Sequence, residues 1–195
     1  TGTNILSGGA GDDTLIGMGG GDTYDGGANG IGGDTVSYAP SAAGVIATLT
    51  TGIGVANTGD AAGDIYLANS IENLTGTAFD DTLIGNNANN ILSGGLGNNT
   101  LEGLAGADTL VGGAGVDTAS YAHASAGVIS SLTTTFTSGP TVNQLGDAAG
   151  DSYVSIENIT GSNFDDTLIG NLNANRLTGG SVKNILEGMG VADGV

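Results

Sequence analysis

The sequence repeats itself every nine residues, and this period constrains the fold more than any other feature. From Gly85 the chain reads GNNANNILS, GGLGNNTLE, GLAGADTLV and GGAGVDTAS, with no gap between the units. An apolar residue holds the eighth position of successive units, at Leu74, Leu83, Leu92, Leu101, Leu110 and Ala119. A carboxylate or an amide stands two residues before each, at Glu72, Asp81, Asn90, Asn99, Asp108 and Asp117. A fixed short period of this kind predicts a solenoid.

Each nine-residue unit is expected to contain one turn and one strand. Glycines at its start favour a tight turn, because they adopt backbone angles that other residues disfavour. The last three residues then form a short strand whose middle side chain points inward. Successive strands lie on opposite faces of a flattened coil, so two units complete one rung. Each residue then stacks about 4.8 Å from its counterpart two units later.

This stacking places the sixth-position side chains in two columns of negative charge. Carboxylates at that separation repel one another unless a cation lies between them. Carboxylates and turn carbonyls are hard oxygen ligands, which suit calcium. A core of one apolar residue per strand is too thin to offset the ordering of the backbone by itself. The sequence therefore predicts several calcium ions, and folding that depends on them.

The sequence resembles the RTX, or hemolysin-type, calcium-binding repeat proteins. The residues that carry the resemblance are GGAGDDTLI at Gly8–Ile16, GGLGNNTLE at Gly94–Glu102 and GGAGVDTAS at Gly112–Ser120. The resemblance implies an all-β fold, a right-handed parallel β-roll that binds calcium between its turns. It also implies export by type I secretion and folding outside the cell, where calcium is abundant.

A second period of about 85 residues is laid over the nonapeptides. FDDTLIGN at Phe79 returns at Phe164, and SIENLTG at Ser70 returns as SIENITG at Ser155. The nine-residue register is lost in two segments, at 38–73 and 121–158, which lie between runs of nonapeptides. We therefore expect a β-solenoid in which irregular inserted rungs separate calcium-binding rolls. The predicted division is roll 1 at 1–37, insert 1 at 38–73, roll 2 at 74–120, insert 2 at 121–158 and a degenerate roll 3 at 159–195.

Ten sixth-position residues are predicted to ligate calcium: Asp13, Asp22, Asp34, Asp81, Asn90, Asn99, Asp108, Asp117, Asp166 and Asn184. Five pairs are expected to stack on adjacent rungs: Asp13 with Asp34, Asp81 with Asn99, Asn99 with Asp117, Asn90 with Asp108, and Asp166 with Asn184. An Asn offers one neutral oxygen, so these sites should be weaker, and Asn90 and Asn99 could form amide ladders instead.

Several acidic residues outside this set leave alternatives open. Glu72 and Glu157 hold sixth positions, but their longer side chains could cap the roll rather than ligate. The two GDAAGD loops, at Gly59–Asp64 and Gly146–Asp151, favour a solvated polar turn over a separate calcium site. Tyr38 and Tyr121 follow the last repeat of a roll and are expected to pack over its end.

Composition excludes some functions. With two basic residues and a net charge of −18, the chain is not expected to bind nucleic acid by neutralising phosphates. No apolar run reaches the roughly 18 residues that a membrane span needs. No nucleophile–base pair or zinc motif is present, which indicates a non-catalytic segment. Since Thr1 and Val195 both fall inside repeats, we expect this sequence to be a piece of a longer repetitive protein.

Three functional hypotheses follow. The first is a calcium-binding segment of a large secreted protein that folds outside the cell and serves in an extended stalk, surface layer or filament. Exposed roll edges would allow such segments to associate end to end. The second is an accessory module of a secreted protease, lipase or polysaccharide-modifying enzyme. The third is an adhesin module that binds glycans.

Overall fold

The computed structural model describes residues 2–133 and 144–190, which form short strands joined by turns. Two 3-10 turns, at Gly59–Ala61 and Gly146–Ala148, interrupt the strands. The strands are, in chain order, β1 (Ile5–Gly11), β2 (Thr14–Leu15), β3 (Thr23–Asn29), β4 (Thr35–Ser37), β5 (Ile46–Thr48), β6 (Ile65–Tyr66), β7 (Asn73–Thr75), β8 (Thr82–Ile84), β9 (Ile91–Leu96), β10 (Thr100–Glu102), β11 (Thr109–Ala114), β12 (Thr118–Ser120), β13 (Ile129–Ser131), β14 (Ser152–Val154), β15 (Asn158–Thr160), β16 (Thr167–Ile169), β17 (Arg176–Thr178) and β18 (Ile185–Glu187).

The strands pair in parallel with the register that the repeat predicts. Leu83 pairs with Leu101, and Leu92 pairs with Leu110, each partner two units further along the chain. The unit that ends with β4 is three residues longer than the nine-residue repeat. These residues only lengthen the turn before β4, because Thr14 still pairs with Thr35. The prediction of an all-β parallel roll is confirmed.

Four sheets account for the described strands. The first has the order β1-β3-β6 and the second β2-β4-β7-β9-β11-β14. The third has the order β5-β8-β10-β12-β15-β17 and the fourth β13-β16-β18. The second sheet is shared by the first two rolls, and the third sheet by the last two.

Each insert ends one sheet and begins another while the opposite sheet continues. In the first insert β6 ends the first sheet and β5 begins the third, while β4 pairs directly with β7 in the second. In the second insert β14 ends the second sheet and β13 begins the fourth, while β12 pairs with β15. The inserts are therefore wider rungs of the same solenoid, as the sequence predicted.

The core is a single file of side chains along the roll. Leu6 and Leu186, near the two ends, are only partly buried. The other eighth-position residues of the repeats are buried, and most of them are fully excluded from solvent: Leu15, Tyr24, Val36, Leu74, Leu83, Leu92, Leu101, Leu110, Ala119, Ile159, Leu168 and Leu177. One such residue per strand is a thin core, so the turns must contribute to stability. Within residues 2–133 and 144–190, no helix is both long enough and apolar enough to cross a membrane.

Candidate metal centre

The turns that precede the strands hold their sixth-position side chains in hydrogen-bonded ladders. In each ladder one side-chain oxygen accepts a hydrogen bond from the backbone N–H of the sixth residue one rung earlier. Asp34 Oδ1 accepts from the Asp13 N–H at 2.7 Å, and Asp117 Oδ1 accepts from the Asn99 N–H at 2.7 Å. This bond holds neighbouring sixth-position groups one rung apart. At Glu72 and Glu157 it is replaced, because the side-chain NH2 groups of Asn90 and Asn175 donate to the carbonyl oxygens of these two residues.

All five predicted pairs lie on adjacent rungs. Besides the two bonds above, Asn99 Oδ1 accepts from the Asp81 N–H at 3.0 Å, Asp108 Oδ1 from the Asn90 N–H at 2.7 Å, and Asn184 Oδ1 from the Asp166 N–H at 2.9 Å. Asp22 lies in the ladder of the first sheet, where its Oδ1 accepts from the Asn4 N–H at 2.7 Å. The geometry brings the ten residues into columns, and their role as calcium ligands stays a prediction.

Among residues 2–133 and 144–190, five carboxylates keep a second oxygen that is buried and without a hydrogen-bond partner. They belong to Asp13, Asp22, Asp34, Asp108 and Asp117, whose Oδ2 atoms are all shielded from solvent. A buried carboxylate oxygen that lacks a donor carries a large desolvation cost unless a cation compensates it. These oxygens therefore mark positions that fit a bound cation.

Backbone carbonyls accompany these oxygens. A Cβ built on Gly8 would lie 2.6 Å from Asp13 Oδ2 and 2.7 Å from the carbonyl oxygen of Gly26 in the next rung. Both oxygens thus adjoin one point that only a glycine leaves free. No three acidic or histidine side chains cluster in the part of the chain that the structure describes. A cation here would be held by one carboxylate per turn together with carbonyls, a donor set that suits calcium.

The first glycine of a turn should not tolerate a side chain. A Cβ on Gly112 would overlap the carbonyl oxygen of Ser155 and lie 2.6 Å from the Asp117 carboxylate. We expect Gly112→Ala to lower the free energy of unfolding by about 2 kcal/mol or more, because backbone must move. Denaturant unfolding in saturating calcium measures this. Gly2→Ala is the control, since its Cβ would meet nothing within 4 Å, and an equal loss in both variants would contradict the prediction.

Burial raises the pKa of two carboxyl groups, those of Asp108 and Asp151. Burial raises the pKa of Asp108 to about 7, and the charges of Asp151 and Asp147 add to the rise, while the hydrogen bond from the Asn90 N–H opposes it. Burial likewise raises the pKa of Asp151 to about 6. A nearby cation would favour the ionised form of both groups.

Two ladder members, Asp64 and Asp151, were not predicted from the sequence, and two more, Glu72 and Glu157, were left open between ligation and capping. Asp64 Oδ1 accepts from the Asp22 N–H at 2.7 Å, and Asp151 Oδ1 accepts from the Asp108 N–H at 2.9 Å. Both are buried, so the expectation of a solvated turn is wrong for the second aspartate of each GDAAGD loop. Glu72 and Glu157 also accept one ladder bond each, from Asp34 and Asp117. The exact return of GDAAGD after one long period was the available signal.

In the two ladder positions that lie in the inserts, a tyrosine hydroxyl donates to the second oxygen of the aspartate. Tyr38 donates its hydroxyl to Asp64 Oδ2 at 2.6 Å, and Tyr121 donates to Asp151 Oδ2 at 2.8 Å. Burial raises the pKa of both tyrosine hydroxyls, which keeps them protonated as donors. Both side chains are buried where one sheet gives way to the next, in agreement with the expected packing at the end of a roll.

Removal of the Tyr121 hydroxyl should destabilise the second insert. In Tyr121→Phe the buried Oδ2 of Asp151 loses its donor, and we expect a loss of about 1–3 kcal/mol in the free energy of unfolding. A double-mutant cycle with Asp151→Asn, read by thermal unfolding in calcium, isolates the pair. Strictly additive effects would show that the two groups do not interact.

Three of the five remaining predicted ligands accept hydrogen bonds from donors within their own turns, whereas the side-chain NH2 groups of Asn99 and Asn184 donate to backbone carbonyls. Asp81 Oδ2 accepts from the Thr77 N–H at 2.6 Å, and Asp166 Oδ2 accepts from the Ser162 N–H at 2.7 Å. Asn90 Oδ1 accepts from the Asn86 N–H at 2.8 Å in the same way. These three turns are internally satisfied.

A parallel β-roll whose turns hold stacked carboxylates and glycine carbonyls defines a class of cation-binding repeat protein. The RTX calcium-binding nonapeptide repeat matches four copies in this chain, at residues 1–29, 68–101, 84–119 and 155–186. These copies cover more than half of the sequence, and the chain belongs to this family. It is a calcium-binding repeat protein, and RTX repeat proteins are typically secreted. A comparison with curated proteins finds no match.

Proposed function

We propose that this chain is a non-catalytic calcium-binding segment of a large secreted protein. It stays unfolded where calcium is scarce, folds outside the cell and forms part of an extended stalk, surface layer or filament. The observation that carries the proposal is the set of five buried carboxylate oxygens without donors, at Asp13, Asp22, Asp34, Asp108 and Asp117. Because the ligands come together only in the folded ladder, the free energy of metal binding stabilises the folded state.

The organisation of the chain supports an extended role. We propose that the functional units are the rolls at 1–37, 74–120 and 159–195, joined by the inserts at 38–73 and 121–158. Since each insert passes one sheet on to the next roll, further long repeats could be added without a break in the solenoid.

Calcium binding is tested by titration calorimetry on chain freed of divalent ions. We expect several calcium ions per chain, and little heat from magnesium, because magnesium needs octahedral geometry and gives up its water reluctantly. A chain that binds no calcium at millimolar concentration would contradict the proposed function.

We also propose that the roll associates end to end through its edges. Among the described strands, β1 and β2 at one end, and β17 and β18 at the other, each pair with another strand on one side only. Unpaired strand edges are templates for pairing with a second copy. Light scattering during the calcium titration tests this, and a strictly monomeric folded chain at high concentration would exclude it.

A further inference from the structure

The turns of the roll fall into two backbone classes, which differ at the second residue of the turn. In one class, here called open turns, that residue has a positive φ: 106° at Gly9, 99° at Gly27 and Gly95, 107° at Gly113 and 79° at Gly180, with Met18 at 63° and Leu104 at 71°. In the other class, here called capped turns, it does not. The capped turns lie at 76–81, 85–90, 161–166 and 170–175 and have Thr77, Asn86, Ser162 and Asn171 in second position.

In every capped turn the second residue donates a hydrogen bond to the sixth-position oxygen that an ion would need as a ligand. Its backbone N–H is donated to the sixth-position side chain at 2.6 Å for Thr77, 2.8 Å for Asn86 and 2.7 Å for Ser162 and Asn171. In the open turns that end at Asp13, Asp22, Asp34, Asp108 and Asp117, the corresponding oxygen has no partner. Among the turns that end in Asp, the two classes of backbone thus coincide with the presence or absence of a satisfied oxygen. The open turns that end at Asn99 and Asn184 instead place an amide Nδ2 there, which donates to backbone carbonyls.

The hydroxyl of Thr77 or Ser162 reinforces the cap. Thr77 Oγ1 donates to the Asp81 carboxylate at 3.1 Å and accepts from the Phe79 N–H at 2.9 Å. Ser162 Oγ donates to Asp166 at 2.7 Å and accepts from the Phe164 N–H at 3.0 Å. The positive ends of an N–H and an O–H therefore point at the carboxylate from the side that a cation would approach.

We propose that the second residue of each turn decides whether the turn takes a calcium ion. Glycine, or another residue held at positive φ, leaves the sixth-position oxygen free for the ion. Threonine, serine or asparagine at negative φ supplies donors in its place and excludes the ion. This inference rests on the proposed calcium binding, and it removes Asp81, Asn90 and Asp166 from the ligand set.

The arrangement gives each long repeat a rung that needs no ion. Residues 76–90 and 161–175 are capped on both sides of the roll, and each pair follows directly after an insert. Calcium is then confined to the open turns, which lie at 8–34, 94–117 and 179–184. The ion-free rung supplies a pre-formed edge on which the next open turns can assemble.

Two matched substitutions test the proposal in the full 195-residue chain. Asp81→Asn and Asp117→Asn alter the same ladder, one on each side of Asn99. Native mass spectrometry and calorimetry with calcium should show that Asp117→Asn loses one ion, or weakens one site more than about tenfold. Asp81→Asn should keep the wild-type number and affinity. Loss of an ion in Asp81→Asn, as in Asp117→Asn, would overturn the inference.

A gain-of-site variant decides the matter if Asp81→Asn does not fold. Thr77→Gly removes the hydroxyl and permits a positive φ, which frees Asp81 Oδ2 beside the carbonyl oxygen of Gly94. We expect one additional calcium ion in Thr77→Gly and none in Thr77→Val, which keeps the N–H bond and disfavours positive φ. An unchanged count in Thr77→Gly contradicts the inference. Absence of calcium from the wild-type chain contradicts the proposed function instead.

Discussion

In a chelating buffer the chain is expected to be largely unfolded, and millimolar calcium is expected to convert it to the β-roll. The physical reason lies in the turns. In the part of the chain that the structure describes, five buried carboxylate oxygens have no donor, and their charges are stacked along columns. Each becomes favourable only when a cation is bound.

The thin core cannot compensate for this cost. The eighth-position residues contribute one buried side chain per strand, whereas every residue of every turn must be ordered. A site occupied at 100 times its dissociation constant adds about 2.7 kcal/mol of stability. Several such sites are enough to decide between coil and roll.

Far-UV circular dichroism during a calcium titration measures this transition, with magnesium at the same concentration as the control. We expect a cooperative change to a β spectrum in calcium and a spectrum of unfolded chain in chelator. A spectrum that calcium does not change would show that the ladder is stable without ions.

Acidification is expected to replace part of the effect of calcium. The pKa of Asp108 is raised from 3.8 to about 7, and that of Asp151 from 3.8 to about 6, in both cases chiefly by burial. Between about pH 4 and 7 the folded chain therefore binds more protons than the unfolded chain. Stability without calcium should rise as the pH falls through this window, and fall as the pH rises.

The measurement is the concentration of a stabilising osmolyte needed to fold the chain in chelator, at pH 7.5 and at pH 5. We expect a lower midpoint at pH 5, with a difference of the order of a few kcal/mol in folding free energy. Asp108→Asn should show a weaker pH dependence, since it removes the group with the larger shift. A midpoint that rises on acidification would contradict the assignment. In saturating calcium the trend should reverse, because protons then compete with the ion.

Much of the fold could be read from the spacing of Leu83, Leu92 and Leu101. A period of nine forces a strand and a turn into each unit, and parallel pairing two units apart follows from the alternation of faces. The sixth-position columns follow from the same register, which is why all five predicted pairs lie on adjacent rungs.

The inserts could be anticipated only as irregular rungs. Their strands are short and are separated by loops of unequal length, so no periodicity indicates which sheet each strand joins. Asp64 and Asp151 enter the ladders because β6 and β14 pair with strands far away in the sequence. A local reading of GDAAGD as a polar turn cannot detect that long-range pairing.

The sequence by itself thus determined the rung, its register and the residues that line the columns, because all three follow from a local repeat. Only the tertiary structure decided which carboxylate oxygens lack a donor. Asp81 and Asp117 occupy the same position of the repeat, yet Thr77 satisfies one, while the backbone angle at Gly113 leaves the other free. That difference depends on the direction of single N–H groups, and only the structure showed that this direction changes with the second residue of the turn.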